Sequence, residues 1–345
     1  MLNNPSATTT HQPENRQDDL QTVLPVIRKR LEAAQRVLIV AHIRPDGDAV
    51  GSLLGLGLAL KDAGKEVHMA LVDGVPQSFR HLEGSELVTR NPGDIHRFDT
   101  VIVVDCSDLQ RTGSTENGRP VLNGRTPDLN IDHHITNLQF AEINLVIPHQ
   151  VATSAIIAEY LPSWGLRYNK SIAAALLTGI LTDTIGFRTP NVMAQTLTLA
   201  AKLVEQGANL PDLYTRALVS KSFEAARYWG RGLGKLQRDG EMVYTTLTLE
   251  DREMAQYPGN DDADLVNLLS SIDSKVAVIF VEQKNGHVKV SWRARPGTDV
   301  AKIALQFGGG GHAAAAGADI PGTLESVQPQ VLSATRALLT QASGV

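Results

Sequence analysis

Four short strings within the first 183 residues place histidine or aspartate where apolar runs end. They are Ala41-His42-Ile43-Arg44-Pro45-Asp46-Gly47-Asp48, Val103-Val104-Asp105-Cys106, Asp132-His133-His134 and Leu181-Thr182-Asp183. Carboxylate oxygens mixed with imidazole nitrogens suit a divalent ion such as Mn²⁺, whereas carboxylates alone favour Mg²⁺ and thiolates favour Zn²⁺. Five or six such groups exceed the needs of one ion, and a carboxylate shared by two ions about 3.5–4 Å apart would use them all. Two ions so placed lower the pKa of a bridging water and hold a phosphoryl oxygen, which is what hydrolysis of a phosphate ester requires. Taken singly, each string has a plainer reading. His-x-x-Pro-Asp-x-Asp can be an Asx-capped turn, Asp105 a strand-end cap, Asp132-His133-His134 a solvated loop and Asp183 the polar end of a helix. Four of them in one domain favour a common site.

The elements that must position these residues follow from the apolar pattern. Residues 37–41 form a continuous apolar run of strand length, 52–62 predict a helix closed by Gly64, and 67–72 the next strand. Residues 101–104 and 129–131 are further short strands, each followed by an acidic residue, and 171–182 and 193–207 predict helices. Such alternation indicates an α/β domain with a largely parallel sheet flanked by helices. In sheets of this kind ligands bind outside the carboxyl ends of the strands, where His42, Asp46, Asp48, Asp105, Asp132, His133 and His134 all fall. Pro45 stiffens the first loop and Gly47 lets it turn sharply, so that several side chains can converge.

Near residue 220 the texture changes. A connecting helix over 221–238, a strand over 241–249, a helix over 264–272 and a hairpin of 276–282 with 288–293 around Asn285-Gly286 predict a second, smaller α+β domain. It contains Gly308-Gly309-Gly310-Gly311-His312 followed by an alanine run. A glycine run can be a flexible loop and His312 a helix cap, but the combination suggests a backbone nest at a helix N-terminus that holds an anion. The expected organisation is a disordered polar tail over 1–20, a catalytic domain over 21–219, and a connecting helix with a substrate-binding domain over 220–345.

Composition sets the outer limits. A formal net charge of −5 argues against holding long nucleic acid, which needs many Lys and Arg contacts to phosphate. No stretch approaches a membrane span and no secretory leader is visible, so no membrane partner is expected and the cytoplasm is the expected compartment. The single cysteine, Cys106, excludes an intramolecular disulfide and reads as buried packing, since no base is placed to activate it. His68, His81, His96, His149 and His287 lie outside the strings and read as structural.

In this order the strings resemble the DHH phosphoesterase superfamily, named for Asp132-His133-His134, and the glycine-rich string resembles its DHHA1 partner domain. The resemblance runs from about Leu24 nearly to the end of the chain. Within the superfamily, the size and Ser291-Trp292-Arg293 ahead of the glycine-rich loop resemble the NrnA-type nanoRNases. That group hydrolyses short oligoribonucleotides and converts 3′-phosphoadenosine 5′-phosphate (pAp) to AMP. The resemblance implies two Mn²⁺ ions, with Mg²⁺ or Co²⁺ as substitutes. It implies that His42 and Asp46 bind one, that Asp48, His133 and Asp183 bind the other, and that Asp105 bridges them. Asp132 would orient an imidazole, His134 would face the substrate phosphate, and Asn137 matches the DHH-x-x-N extension in a supporting role. Arg293 and His312, with the Gly309, Gly310 and Gly311 backbone, match residues that grip substrate phosphate at the cleft between the domains. Ala294 stands where the family often has Ser, which bears on substrate preference. Hydrolysis of pApA or c-di-AMP, and an inactive nucleotide-binding protein, are the alternatives to nanoRNase and pAp phosphatase activity. A homodimer is left open.

Overall fold

The computed structural model describes residues 14–115 and 118–342, which fall in two units divided after Ser220. Runs of Val, Ile and Leu make the first sheet: β1 (Arg36–Val40), β2 (Glu66–Ala70), β3 (Val88–Thr89), β4 (Thr100–Val104), β5 (Leu129–Asp132) and β6 (Ile143–Val146). All pairs are parallel, in the order β3-β2-β1-β4-β5-β6. β4 is buried along its whole length, as expected of a parallel strand covered on both faces. Ile39, Ile102 and Val104 face the main core, which includes Ile27 and Leu31 of α1 (Glu14–Ala33). On the other face, Leu38, Val40, Val101 and Val103 pack against Ile95, Phe98, Val121 and Leu122 from irregular segments.

The helix α1 corrects the expected tail, because residues 14–20 are helical; residues 1–13 lie outside the described residues. Once Ile27 and Leu31 are buried and the helix is nucleated, each polar residue added ahead of them costs little to propagate. Helix α2 (Gly47–Asp62) begins five residues before the predicted start. It is followed by α3 (Thr153–Tyr160), α4 (Lys170–Asp183), α5 (Ala194–Glu205) and α6 (Leu210–Tyr214). Glycines of α2 and α4 let the two backbones touch: a Cβ on Gly51 would lie 2.5 Å from the Ala175 carbonyl oxygen and 2.9 Å from the Gly179 nitrogen. This contact brings Asp48, in the first turn of α2, to Asp183, at the end of α4.

The second unit contains α7 (Phe223–Leu233), β7 (Gln237–Asp239), β8 (Met242–Leu247), α8 (Leu249–Ala255), α9 (Leu265–Leu269), β9 (Val276–Glu282), β10 (His287–Ala294), α10 (Ala301–Gln306), β11 (Gly310–His312), β12 (Ala315–Pro321) and α11 (Leu324–Ala342). Its sheet runs β11-β12-β10-β9-β8-β7 and is antiparallel except between β8 and β9. The hairpin at Asn285-Gly286 forms as expected, with the Gln283 N–H donating to His287 O (2.9 Å) and Gly286 at φ +75°. The expectation of a helix after His312 is corrected: His312 ends one strand and Ala315 opens the next. Alanine's helix preference is below about 1 kcal/mol per residue and yields to the pairing of β12 with β10, where Ala316 and Ala318 are buried. Two of the four glycines permit a close approach between strands, since a Cβ on Gly309 would collide with the Gly317 carbonyl and one on Gly311 with the Ala315 carbonyl. With no helix there, the nest at a helix N-terminus is withdrawn.

Candidate metal centre

The chain leaves β1 toward β2 and leaves β4 toward β5, so the strand order reverses between β1 and β4 and opens a crevice at their carboxyl ends. His42 lies two residues beyond β1, Asp105 directly follows β4, and Asp132 is the last residue of β5. Asp105 is held at φ +52° and Arg44 at φ +53°. Both are left-handed conformations that non-glycine residues adopt at a cost of order 1–3 kcal/mol, and such strain persists where the surroundings over-determine it.

Around Asp105 two clusters share one carboxylate. His42 Nε2 is 3.4 Å from Asp105 Oδ2 and 3.8 Å from Asp46 Oδ1. His133 Nε2 is 3.8 Å from the other oxygen, Asp105 Oδ1, 4.0 Å from Asp48 Oδ2 and 3.5 Å from Asp183 Oδ2. Two atoms each ~2.1 Å from a common ion are at most ~4.2 Å apart. These five separations all fall within that limit; His42, Asp46 and Asp105 form one group of donors that could hold an ion and Asp48, Asp105 and His133 a second, with Asp183 beside His133. Both imidazoles are fixed through the opposite nitrogen, His42 Nδ1 at Ile43 O (2.7 Å) and His133 Nδ1 at Gln150 O (3.3 Å), as metal-binding histidines require.

Asp46 also does what its plainer reading says. Its Oδ1 accepts from the N–H groups of Asp48 and Ala49, both at 3.0 Å, and caps α2. Capping therefore orients a ligand carboxylate rather than competing with that role. Asp48 is buried, and its two oxygens accept the Thr153 and Ser154 N–H groups at 2.6 and 2.9 Å. Helix α3, whose N-cap Ala152 offers no side-chain acceptor, is thus capped from α2.

Asp132 is fully buried and organises its neighbours: His134 Nδ1 lies 2.7 Å from Oδ1, the His133 N–H donates to the same oxygen (2.9 Å), and Asn137 Nδ2 donates to Oδ2 (2.6 Å). Asn137 also donates to Asn130 Oδ1 (2.8 Å) and Cys106 O (3.2 Å), tying the ends of β4 and β5 together. The Cys106 thiol is buried, donates to Asp108 O, and is pushed up to about 12 by that burial, consistent with a packing role.

The charges are unbalanced. Burial alone would depress the imidazoles, yet Asp105 and Asp46 hold His42 well above its ordinary pKa, Asp105 and Asp48 raise His133, and Asp132 and Asp105 raise His134. Burial would raise Asp105, but the hydrogen bond and charge of His42, with His134 and His133, hold it low. Burial and the Asp105 charge push Asp48 up to about 7, and burial with the charges of Asp48, Asp46 and Asp105 pushes Asp183 well above the carboxylate range. With every carboxylate ionised the pocket would carry more negative charge than its imidazoles offset, and a bound cation would relieve the burial and mutual repulsion that push Asp48 and Asp183 up.

All six residues expected to ligate ions, His42, Asp46, Asp48, Asp105, His133 and Asp183, come together, with Asp132 and His134 beside them. Arg293 and His312 belong to the second unit. Arg293 is partly buried, its Nε donating to Asn267 Oδ1 (3.0 Å) and one terminal nitrogen to Trp292 O (3.0 Å), while His312 is exposed at the end of β11. Arg295 is occupied with Asp273 and the Ile272 carbonyl. Sequence reasoning missed Thr153, Ser154 and Asn130. A polar Asn130 inside a buried strand was a signal; Thr153-Ser154 gave none.

The family model described as DHH family, N-terminal domain, matches residues 36–180, and the DHHA1 domain model matches residues 242–341. The chain is 33% identical over 332 residues to the bifunctional oligoribonuclease and PAP phosphatase NrnA of Thermus thermophilus, covering 96% of this chain and 98% of that one. Among solved structures, an exopolyphosphatase-related protein from Bacteroides fragilis shares the fold with a TM-score of 0.81 at 24% identity, over 93% of this chain and 96% of the other. RecJ from Thermus thermophilus in complex with Mn²⁺ aligns with a TM-score of 0.50 at 13% identity, over 94% of this chain and 55% of RecJ.

Proposed function

Because the chain belongs to the DHH/DHHA1 phosphoesterases, in the family of the bifunctional oligoribonucleases and PAP phosphatases, we propose that it is a two-ion, Mn²⁺-dependent hydrolase. Its substrates are oligoribonucleotides of a few residues, cut to mononucleotides, and pAp, converted to AMP. The observation that carries this reading is Asp105, a single buried carboxylate with the His42 imidazole at one oxygen and the His133 imidazole at the other. His42 and Asp46 would hold the first ion, Asp48, His133 and Asp183 the second, and Asp105 would be shared by both. Mn²⁺ is the working ion, with Mg²⁺ or Co²⁺ as substitutes. Bound there, the ions would acidify a bridging water and neutralise phosphoryl oxygens.

The protein's own groups do the rest. Asp132 fixes the His134 ring through Nδ1, so that His134 contacts the scissile phosphate in one orientation. Asn137 keeps Asp132 from turning away. From the second domain, 220–345, Arg293 and His312 with the Gly309–Gly311 backbone bind a substrate phosphate. A net charge of −5 disfavours holding a long strand, which needs many Lys and Arg contacts to phosphate, so a short end is the expected substrate. Among the described residues no helix is long and apolar enough to cross a membrane, and we place the enzyme in the cytoplasm.

The test is product analysis over time with Mn²⁺ on end-labelled RNA of about two, five and 24 nucleotides, beside pAp, pApA, c-di-AMP and pyrophosphate. The reading expects mononucleotides from the short RNAs much faster than from the longest, and AMP from pAp. Processive cutting of the longest RNA, or turnover confined to c-di-AMP, would replace it with an exonuclease or a signalling phosphodiesterase.

A further inference from the structure

Thr153 makes two contacts at the centre that belong to none of the four strings. Its backbone N–H donates to Asp48 Oδ2 (2.6 Å), and its Oγ1 donates to Asp105 Oδ1 (3.0 Å). One fully buried residue therefore ties a carboxylate of one donor set to the carboxylate common to both. The backbone contact places Asp48 against the start of α3. The hydroxyl contact selects the rotation of the Asp105 carboxylate, turning Oδ1 toward His133 and leaving Oδ2 toward His42. The strained backbone at Asp105 aims the side chain into the crevice but leaves its last torsion to be set by such a partner.

We propose that Thr153 is a positioning residue that sets the rotation of Asp105 and its spacing from Asp48, and thereby governs how tightly and how closely together the two ions are held. The inference rests on the two-ion reading above. Partners of this kind, one shell outside the metal, typically change metal affinity by roughly 10–100-fold when removed.

The experiment uses the full chain stripped with EDTA and titrated with Mn²⁺, followed by calorimetry and by electron paramagnetic resonance, which reports free ions and the spin coupling of a close pair. Thr153→Val keeps the shape and the backbone N–H but loses the hydroxyl; Thr153→Ser keeps the hydroxyl. We expect Thr153→Val to bind Mn²⁺ about 10–100-fold more weakly and to lose the coupled signal, with Thr153→Ser restoring both. On pAp, kcat should fall in the Val variant while KM stays near wild type. If the Val variant does not fold, Thr153→Ala against Thr153→Ser carries the same comparison. Wild-type affinity and coupling in the variant lacking the hydroxyl would overturn the proposal, as would a Ser variant as defective as the Val one. Failure of the unsubstituted protein to take up two ions would instead bring down the two-ion reading itself.

Discussion

Replacing Gly179 by alanine tests whether the packing of α2 on α4 sets the metal centre. A Cβ at position 179 would stand 2.7 Å from Asp48 Oδ1 and would also crowd the Ser154 hydroxyl. Ordinary contact begins at 3.4 Å, so the carboxylate must move by 3.4 − 2.7 = 0.7 Å, or the helices must part. Asp48 cannot swing aside freely, because each of its oxygens accepts an N–H from the start of α3. A displacement approaching 1 Å in a catalytic constellation costs on the order of 10²-fold, so kcat on pAp should fall about 10–100-fold. Overpacking of this kind costs about 1–3 kcal/mol, offset in part by the roughly 1 kcal/mol that alanine gains over glycine in a helix. The assay is phosphate release from pAp at saturating Mn²⁺, with urea unfolding in parallel. Wild-type turnover and Mn²⁺ affinity in Gly179→Ala would refute the claim that this helix contact positions Asp48.

Gly230→Ala in α7 is the matching control: its Cβ would meet nothing within 4 Å, so unfolding should show a gain of up to about 1 kcal/mol with activity unchanged. Asn137→Ala leaves acceptors on Asp132 and Asn130 without the Asn137 donor, while the Cys106 carbonyl keeps the Asn130 amide. It should cost about 1–3 kcal/mol in urea unfolding, and kcat should fall as His134 loses its fixed orientation. Arg293→Ala and His312→Ala should each raise KM for pAp by roughly 10–100-fold, the value of a charge-assisted hydrogen bond of about 1.5–3 kcal/mol. Mn²⁺ stoichiometry by calorimetry should not change in either, and loss of metal in His312→Ala would mean that its role is misassigned.

Much of the first unit was legible because its signals are local. Apolar runs ending in His or Asp locate β1, β4 and β5 and the ligands at their ends. The order of the strands, which puts the reversal between β1 and β4, is a matter of long-range pairing that no local pattern states. Helix α2 starts earlier than its composition suggests because Gly47 and Gly51 are poor helix formers, retained where their missing side chains admit Thr182 and the Ala175 carbonyl. Helix α3 escaped notice because it is only eight residues long and its capping acceptor, Asp48, lies 105 residues away in sequence from Thr153. The alanines after His312 misled in the opposite direction, since a weak intrinsic preference for helix gave way to strand pairing in the second sheet.

The central claim is that Asp105 is shared by two ions, and Mn²⁺ stoichiometry tests it most directly. Asn is the substitution of choice, because it keeps the shape and tolerates the left-handed backbone at φ +52°, so the fold should survive. Calorimetric titration of EDTA-stripped protein should give two Mn²⁺ per wild-type chain, and no more than one for Asp105→Asn together with loss of pAp hydrolysis. A single ion in the wild type, or two ions and full activity in Asp105→Asn, would contradict the account.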